Sequence, residues 1–164
     1  MELTAKGRYA VMAMADLAKH GAGAGSVPLS MIAERQQISL AYLEQIFALL
    51  RRDELVTSLR GRSGGYQLGR AAAEISIVDI MRAVDEGMRM IRCEGLGDGG
   101  GCVGDARCLT HELWTALGMR IAMFLSEVTL QDVLDGKPAA EICNGRGQGA
   151  RPGSDAVATT ASGR

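Results

Sequence analysis

Apolar side chains recur at spacings of three and four in residues 4–20, 29–36 and 40–52, and this period predicts three helices that each bury one face. The second helix follows Pro28, a residue that suits a helix start. Ser39 can cap the third helix, because its hydroxyl can accept a hydrogen bond from an amide of the first turn. The inward-facing positions of the third helix are then Leu43, Ile46, Phe47 and Leu50.

The next segment predicts a β-hairpin, because the strand-forming runs LVTSLRG and GYQLG flank the glycine-bearing turn RSGG. A helix, a short turn, a second helix and a hairpin, in this order, are the plan of a winged helix-turn-helix. The predicted fold class is therefore mainly α with a small β-hairpin wing. We expect this DNA-binding domain to occupy residues 1–75.

Further helices are predicted in the second half of the chain. Ser76 with Asp79, and Thr129 with Asp132, have the spacing of capping boxes that begin two short helices. The first of these helices is expected to end near residue 86 and the second near residue 135. A longer helix is predicted over residues 110–127.

This long helix carries an apolar seam, whose members are Trp114, Leu117, Ile121, Phe124 and Val128. A winged domain alone offers little surface on which so long a helix can pack. A symmetric dimer would bury the seam and duplicate the DNA-reading helix, as palindromic sites require. The seam therefore predicts a dimerisation helix and a homodimer, with packing inside one protomer as the alternative.

Candidate DNA-reading residues lie at the start of the third helix, which in this fold enters the major groove. Ser39, Tyr42 and Gln45 can donate to phosphates or bases, and glutamine can pair with adenine. Glu44 can only accept, for instance from cytosine N4, so it would act as a filter on base sequence. A solvated surface carboxylate is the alternative interpretation of Glu44.

Arg60 and Arg62 lie beside glycines at the tip of the predicted hairpin, where arginine suits insertion into a narrow minor groove. A polar hairpin turn kept in solution by its arginines is the alternative. Residues 1–70 have an excess of basic side chains, whereas residues 71–135 have an excess of acidic ones. This asymmetry favours an anionic partner for the first part of the chain, unless it is a chance distribution among solvated faces.

Three cysteines and a histidine lie close together in the segment RCEGLGDGGGCVGDARCLTHELW. Thiolates and an imidazole can complete the coordination shell of a metal, and the candidate ligands are Cys93, Cys102, Cys108 and His111. Glycines in the intervening loops let the chain fold around an ion, and the last two ligands share one face of a helix's first turn. Zinc sites usually contain a closer cysteine pair, so the spacing favours an iron–sulfur cluster slightly over zinc.

Composition limits the remaining possibilities. The chain is 47% hydrophobic, which is enough for an ordinary core, but it has no apolar run of membrane-spanning length and no secretory signal. We therefore expect a cytoplasmic protein whose thiols stay reduced. No phosphate-binding loop or catalytic pair is apparent, so an enzyme is not expected. Cys143 is interpreted as an incidental thiol, with a redox role as the alternative.

Several segments resemble the IscR-type iron–sulfur cluster transcription regulators over about residues 1–135. They are LTAKGRYAVMAM, VPLSMIAERQQISLAYLEQIFALLR, VTSLRGRSGGYQLG, DIMRAVDE and CLTHELW. The resemblance implies a homodimer that binds double-stranded operator DNA and controls iron–sulfur assembly genes, with the assembly machinery as cluster donor. Residues 76–135 are then a cluster-binding loop and dimerisation helices. Residues 136–164, poor in large apolar side chains, are expected to form a flexible tail.

The same resemblance implies roles for individual residues. It implies a [2Fe–2S] cluster held by Cys93, Cys102, Cys108 and His111. It implies DNA contacts by Ser39, Tyr42, Glu44, Gln45 and Arg60. The eight-residue loop between Cys93 and Cys102 is longer than the family spacing. Two other functions stay open: a sibling regulator with a structural zinc or a nitric-oxide- or redox-responsive cluster, and an electron carrier or iron–sulfur enzyme.

Overall fold

A computed structural model describes residues 5–22, 25–61, 64–84, 107–137 and 141–142. Within these residues the fold is mostly helical with one antiparallel hairpin, which confirms the predicted fold class. One 3₁₀ turn, Ala72–Glu74, follows the hairpin. The elements are α1 (Ala5–Gly21), α2 (Leu29–Gln36), α3 (Leu40–Arg52), β1 (Val56–Leu59), β2 (Gly65–Leu68), α4 (Ile77–Ala83), α5 (His111–Glu127) and α6 (Leu130–Leu134).

Local capping sets the helix starts, as predicted. The Tyr42 amide donates to the Ser39 hydroxyl at 3.2 Å, so Ser39 caps α3. The α4 and α6 helices both begin with complete capping boxes, whose members are Ser76 with Asp79 and Thr129 with Asp132. Gln37 ends α2 in the left-handed region, with φ of 54°, and its amide bonds back to the last turn. α4 ends at Ala83, slightly before its predicted end near residue 86.

The wing packs against the chain before α2 as well as against itself. β1 pairs with β2 from Val56↔Leu68 to Leu59↔Gly65. Tyr66 also exchanges backbone hydrogen bonds of 2.8 and 2.9 Å with Val27. A Cβ atom on Gly65 would lie 2.5 Å from the Val27 backbone, so only glycine allows this approach.

The core forms around α1, which contacts α2, α3, β2, α4 and α6. Two backbone hydrogen bonds connect the start of α4 with the start of α6: Ile77 donates to Val128 at 2.9 Å, and Leu130 donates to Ile75 at 2.8 Å. The core therefore includes residues from both sides of the domain boundary predicted after residue 75. The largest fully buried side chains include Met14, Leu17, Ile32, Leu43, Ile46, Phe47, Leu50, Ile75, Ile80 and Leu130.

Candidate nucleic-acid interface and metal centre

The start of α3 presents a polar face away from the core. Ser39, Glu44 and Gln45 are exposed, and Tyr42 is half-buried. The opposite face of α3 is buried, so the exposed face is available to a ligand. The Ser39 hydroxyl accepts from the Tyr42 amide and still has its own proton to donate. These four predicted residues thus lie together in the first two turns of one helix and at its cap.

The wing is joined to α3 by an aromatic contact. The Phe47 and Tyr66 rings meet edge-to-face with centroids 4.9 Å apart and planes at 70°. Arg60 is exposed immediately after β1, and Gly61 turns the chain with φ of 122°. The Gly64 amide closes this turn by donating to the Gly61 carbonyl at 2.9 Å. Arg62 lies outside the described residues.

An ion pair that was not predicted from the sequence connects α1 with the end of α2. Arg35 donates to both Asp16 carboxylate oxygens, through Nε at 3.1 and 3.0 Å, and Gln36 Nε2 donates at 2.8 Å. Burial raises the pKa of Asp16, but the hydrogen bonds and the Arg35 charge lower it below its ordinary value. The one available signal was an acidic residue beside the apolar stripe of α1.

The metal-binding prediction is only partly within the described residues. Cys108 is a half-buried free thiol just before α5, and His111 is the first residue of that helix. The His111 amide donates to the Cys108 carbonyl at 3.0 Å, which holds both residues in one turn. A thiolate and an imidazole in one helical turn fit adjacent ligands of an iron–sulfur or zinc centre. Cys93, Cys102 and Cys143 lie outside the described residues.

Thr110 lies between these two candidate ligands and does not cap α5 with its side chain. Its hydroxyl instead lies 3.5 Å from the Cys108 sulfur. Arg107 forms an exposed ion pair with Glu112 at 3.6 Å. The described residues by themselves contain no group of three or more His, Cys, Asp or Glu side chains that is placed to hold a metal ion.

α5 exposes an extensive apolar surface. Trp114 is 42% exposed and Phe124 is 37% exposed, while Leu117 and Ile121 are half-buried. Val128 does not extend this seam, because it follows the helix in an extended conformation and is only 7% exposed in the protomer's own core. The prediction of Val128 as an interface residue was therefore wrong.

Three further apolar side chains on α5 are exposed but were not predicted as interface residues: Leu113, Met119 and Met123. At about 100° per residue, Leu113 lies beside the seam, whereas Met119 and Met123 lie on another side of the helix. The exposed apolar side chains on the seam side of α5 are therefore a candidate interaction surface. No helix in the described ranges is both long and apolar enough to span a membrane.

A recognition helix with an exposed polar start, packed against a hairpin wing, defines a winged helix-turn-helix DNA-binding protein. The model of the Rrf2 family, described as an iron-dependent transcriptional regulator, matches residues 3–136. The chain belongs to the Rrf2 family, and it is a DNA-binding transcription regulator rather than an enzyme.

Individual relatives agree with this assignment. The HTH-type transcriptional regulator IscR of Sodalis glossinidius is 49% identical over 142 residues, which are 87% of this chain and 84% of that protein. The regulator of the same name from Pectobacterium carotovorum is 49% identical over 144 residues, 88% of this chain and 85% of the other.

Solved structures agree as well. T. potens IscR is 35% identical with a TM-score of 0.67 and covers 93% of this chain and 94% of its own. CymR, the global cysteine regulator of B. subtilis, is 30% identical with a TM-score of 0.68 and covers 84% of this chain and 99% of its own.

Proposed function

We propose that this chain is a homodimeric, cytoplasmic regulator that senses iron–sulfur cluster status through a [2Fe–2S] cluster and controls iron–sulfur assembly and related genes. The observation that carries this proposal is the position of Cys108 and His111 at the start of α5. The same helix exposes the apolar seam. A metal centre and a dimer interface would thus be coupled through one rigid element.

Cys93, Cys102, Cys108 and His111 would hold the cluster, with the iron–sulfur assembly machinery as its donor. When bound, a [2Fe–2S] centre with one histidine ligand is less negative than one held by four thiolates, and its imidazole is open to competition from protons. The half-buried position of Cys108 and His111 limits solvent access without excluding it. Such a site suits reporting of cluster supply better than fast electron transfer, which disfavours an electron carrier.

The DNA interface consists of Ser39, Tyr42, Glu44 and Gln45 at the start of α3, with Arg60 and Arg62 of the wing. In a symmetric dimer two copies of α3 would read two major-groove half-sites, and each wing would reach a minor groove. Glu44 offers no proton to DNA, so it would penalise sites that present no donor opposite it. The arginines would supply charge neutralisation and therefore salt-dependent affinity.

Metal analysis of anaerobically purified protein tests the cluster. We expect about two irons and two sulfides per chain in the wild type. Cys108→Ser should lose both, and His111→Ala should leave an unstable cluster or none. Cys143→Ser is the matched control and should keep the wild-type iron and sulfide. Stoichiometric zinc without sulfide, in protein made with ample iron, would contradict the cluster and favour the sibling with a structural zinc.

Gel shifts test the proposed DNA interface. Arg60→Ala should weaken binding to DNA strongly, because it removes a charge from the groove. Arg82→Ala removes another exposed charge, on α4, and should leave binding nearly unchanged. If Arg60→Ala binds a selected operator with wild-type affinity at physiological salt, the wing does not contact the DNA as proposed.

A further inference from the structure

We propose that Asp16 is a positioning residue for DNA recognition: its carboxylate on α1 fixes the end of α2 and thereby the orientation of α3 on the DNA. The inference rests on α3 being the DNA-reading helix, as proposed above. It concerns a residue of α1, outside the two helices of the helix-turn-helix. Asp16 would act through Arg35 and Gln36 without touching DNA.

The hydrogen bonds that Arg35 and Gln36 donate to Asp16 form a clamp between α2 and α1. The Asp16 side chain is 2% exposed and the Arg35 side chain 28% exposed. Arg35 Nη2 donates to Asp16 Oδ1 at 2.5 Å, and its Nε donates to the same carboxylate. Gln36 Nε2 adds a bond of 2.8 Å to Oδ2. Arg35 and Gln36, which bond to Asp16 of α1, are the last two residues of α2.

Stability alone does not call for this arrangement. Among the described residues, Asp16 is the only charged side chain in the core. Replacing a buried ion pair by well-packed apolar residues is often neutral or stabilising. Apolar packing is non-directional, whereas an arginine fork fixes both distance and angle. What the ion pair contributes beyond packing is therefore a defined orientation of α2 on α1.

That orientation passes directly to α3. The chain turns at Gln37, one residue after the clamp, and α3 is capped by Ser39. A second contact joins α1 to α3 directly: the rings of Tyr9 and Tyr42 meet edge-to-face, with centroids 6.0 Å apart. Tyr9 and Asp16 are about 10 Å apart along α1. The buried inner face of α3 already holds this helix in the core, and the two separated contacts with α1 further restrict its rotation on that core.

The experiment compares affinity for two DNA duplexes. One is a duplex enriched by the wild-type protein from a random-sequence pool, and the other is a scrambled duplex of the same composition. Asp16→Asn is nearly isosteric and removes the charge that orients Arg35. Asp53→Asn is the matched control, because it makes the same charge change at an exposed carboxylate whose partner is its neighbour Arg52. Both are measured at a temperature where circular dichroism shows each variant fully folded.

We expect the ratio of specific to non-specific affinity to fall about tenfold in Asp16→Asn, comparable to one mismatched base pair. Non-specific binding should be unchanged or slightly stronger, because a negative charge is lost. Asp53→Asn should keep the wild-type ratio. If Asp16→Asn does not fold, Arg35→Lys serves instead, since it keeps the charge, loses the fork and should lower the ratio in the same way.

An unchanged ratio in the folded variant, or an equal loss of both affinities, would overturn the role of Asp16. Failure of the underlying proposal has a different signature. In that case truncation of Gln45 on α3 would leave base preference unaltered, whatever Asp16 does. Together, the two experiments show whether the role of Asp16 is incorrect or the assignment of α3 as the DNA-reading helix is incorrect.

Discussion

Truncation of Phe124 should weaken the proposed dimer by a predictable amount. The Phe124 side chain is 37% exposed on the seam face of α5. Fully burying a phenylalanine stabilises by about 3 kcal/mol, so burying its exposed third contributes about 1 kcal/mol. A twofold interface contains this contribution twice, which gives about 2 kcal/mol. Phe124→Ala should therefore raise the dimer Kd about 30-fold.

Sedimentation equilibrium over a wide range of protein concentration measures this Kd. The control is Met123→Ala, because Met123 is 54% exposed but lies on a different side of α5 from the seam. It should change the Kd by less than about threefold, since it removes apolar surface outside the interface. If Phe124→Ala leaves the Kd unaltered, or if both variants weaken the dimer equally, the seam is not the interface.

Three further predictions follow from single residues. Glu44→Ala should bring the affinities for a selected operator and its single-base variants closer together, as fluorescence anisotropy would show, and equal discrimination in both proteins would exclude a filter. Gly65→Ala should lower the free energy of unfolding in urea by about 1–3 kcal/mol, because its Cβ would clash with Val27. Gly21→Ala makes only an ordinary contact at 3.8 Å and should not. The pKa values of Asp16 and Asp132 are lowered from the ordinary value of 3.8, so the ionised carboxylates stabilise the folded state above that pH. Because this contribution is lost as the carboxylates are protonated, the melting temperature should fall as pH drops below about 4. Asp16→Asn should reduce this dependence, and a flat profile between about pH 5 and pH 3 would contradict it.

The elements governed by local chemistry were predictable from the sequence. The bounds of α2 and α3 agree with the prediction. Pro28 and Ser39 set the starts of these helices through interactions that reach only a few residues along the chain. The two capping boxes are equally local. The hairpin was predictable because its glycines meet a steric need at Gly65, where a Cβ atom has no room.

Contacts between distant residues were not predictable in this way. Asp16 and Arg35 are nineteen residues apart, and a single sequence does not show which of many charges pair across two helices. Val128 was misassigned because an apolar spacing of three and four continues past the end of α5. The Thr129 capping box was the contrary signal, since a helix that begins after Thr129 requires the previous one to end before it.

The two ends of α5 have different environments, and this asymmetry bears on how one dimer could serve two states. At the C-terminal end, Val128 is buried and accepts a hydrogen bond from Ile77, so this end is anchored in the protomer core. At the N-terminal end are Cys108 and His111, about 25 Å away along a helix of 17 residues. We propose that cluster gain or loss acts on the N-terminal end, while the anchored end and the seam keep the dimer intact. Cluster-free protein would then still bind DNA with an altered choice of sites, and Glu44, on the reading face of α3, is the residue we expect to govern that choice.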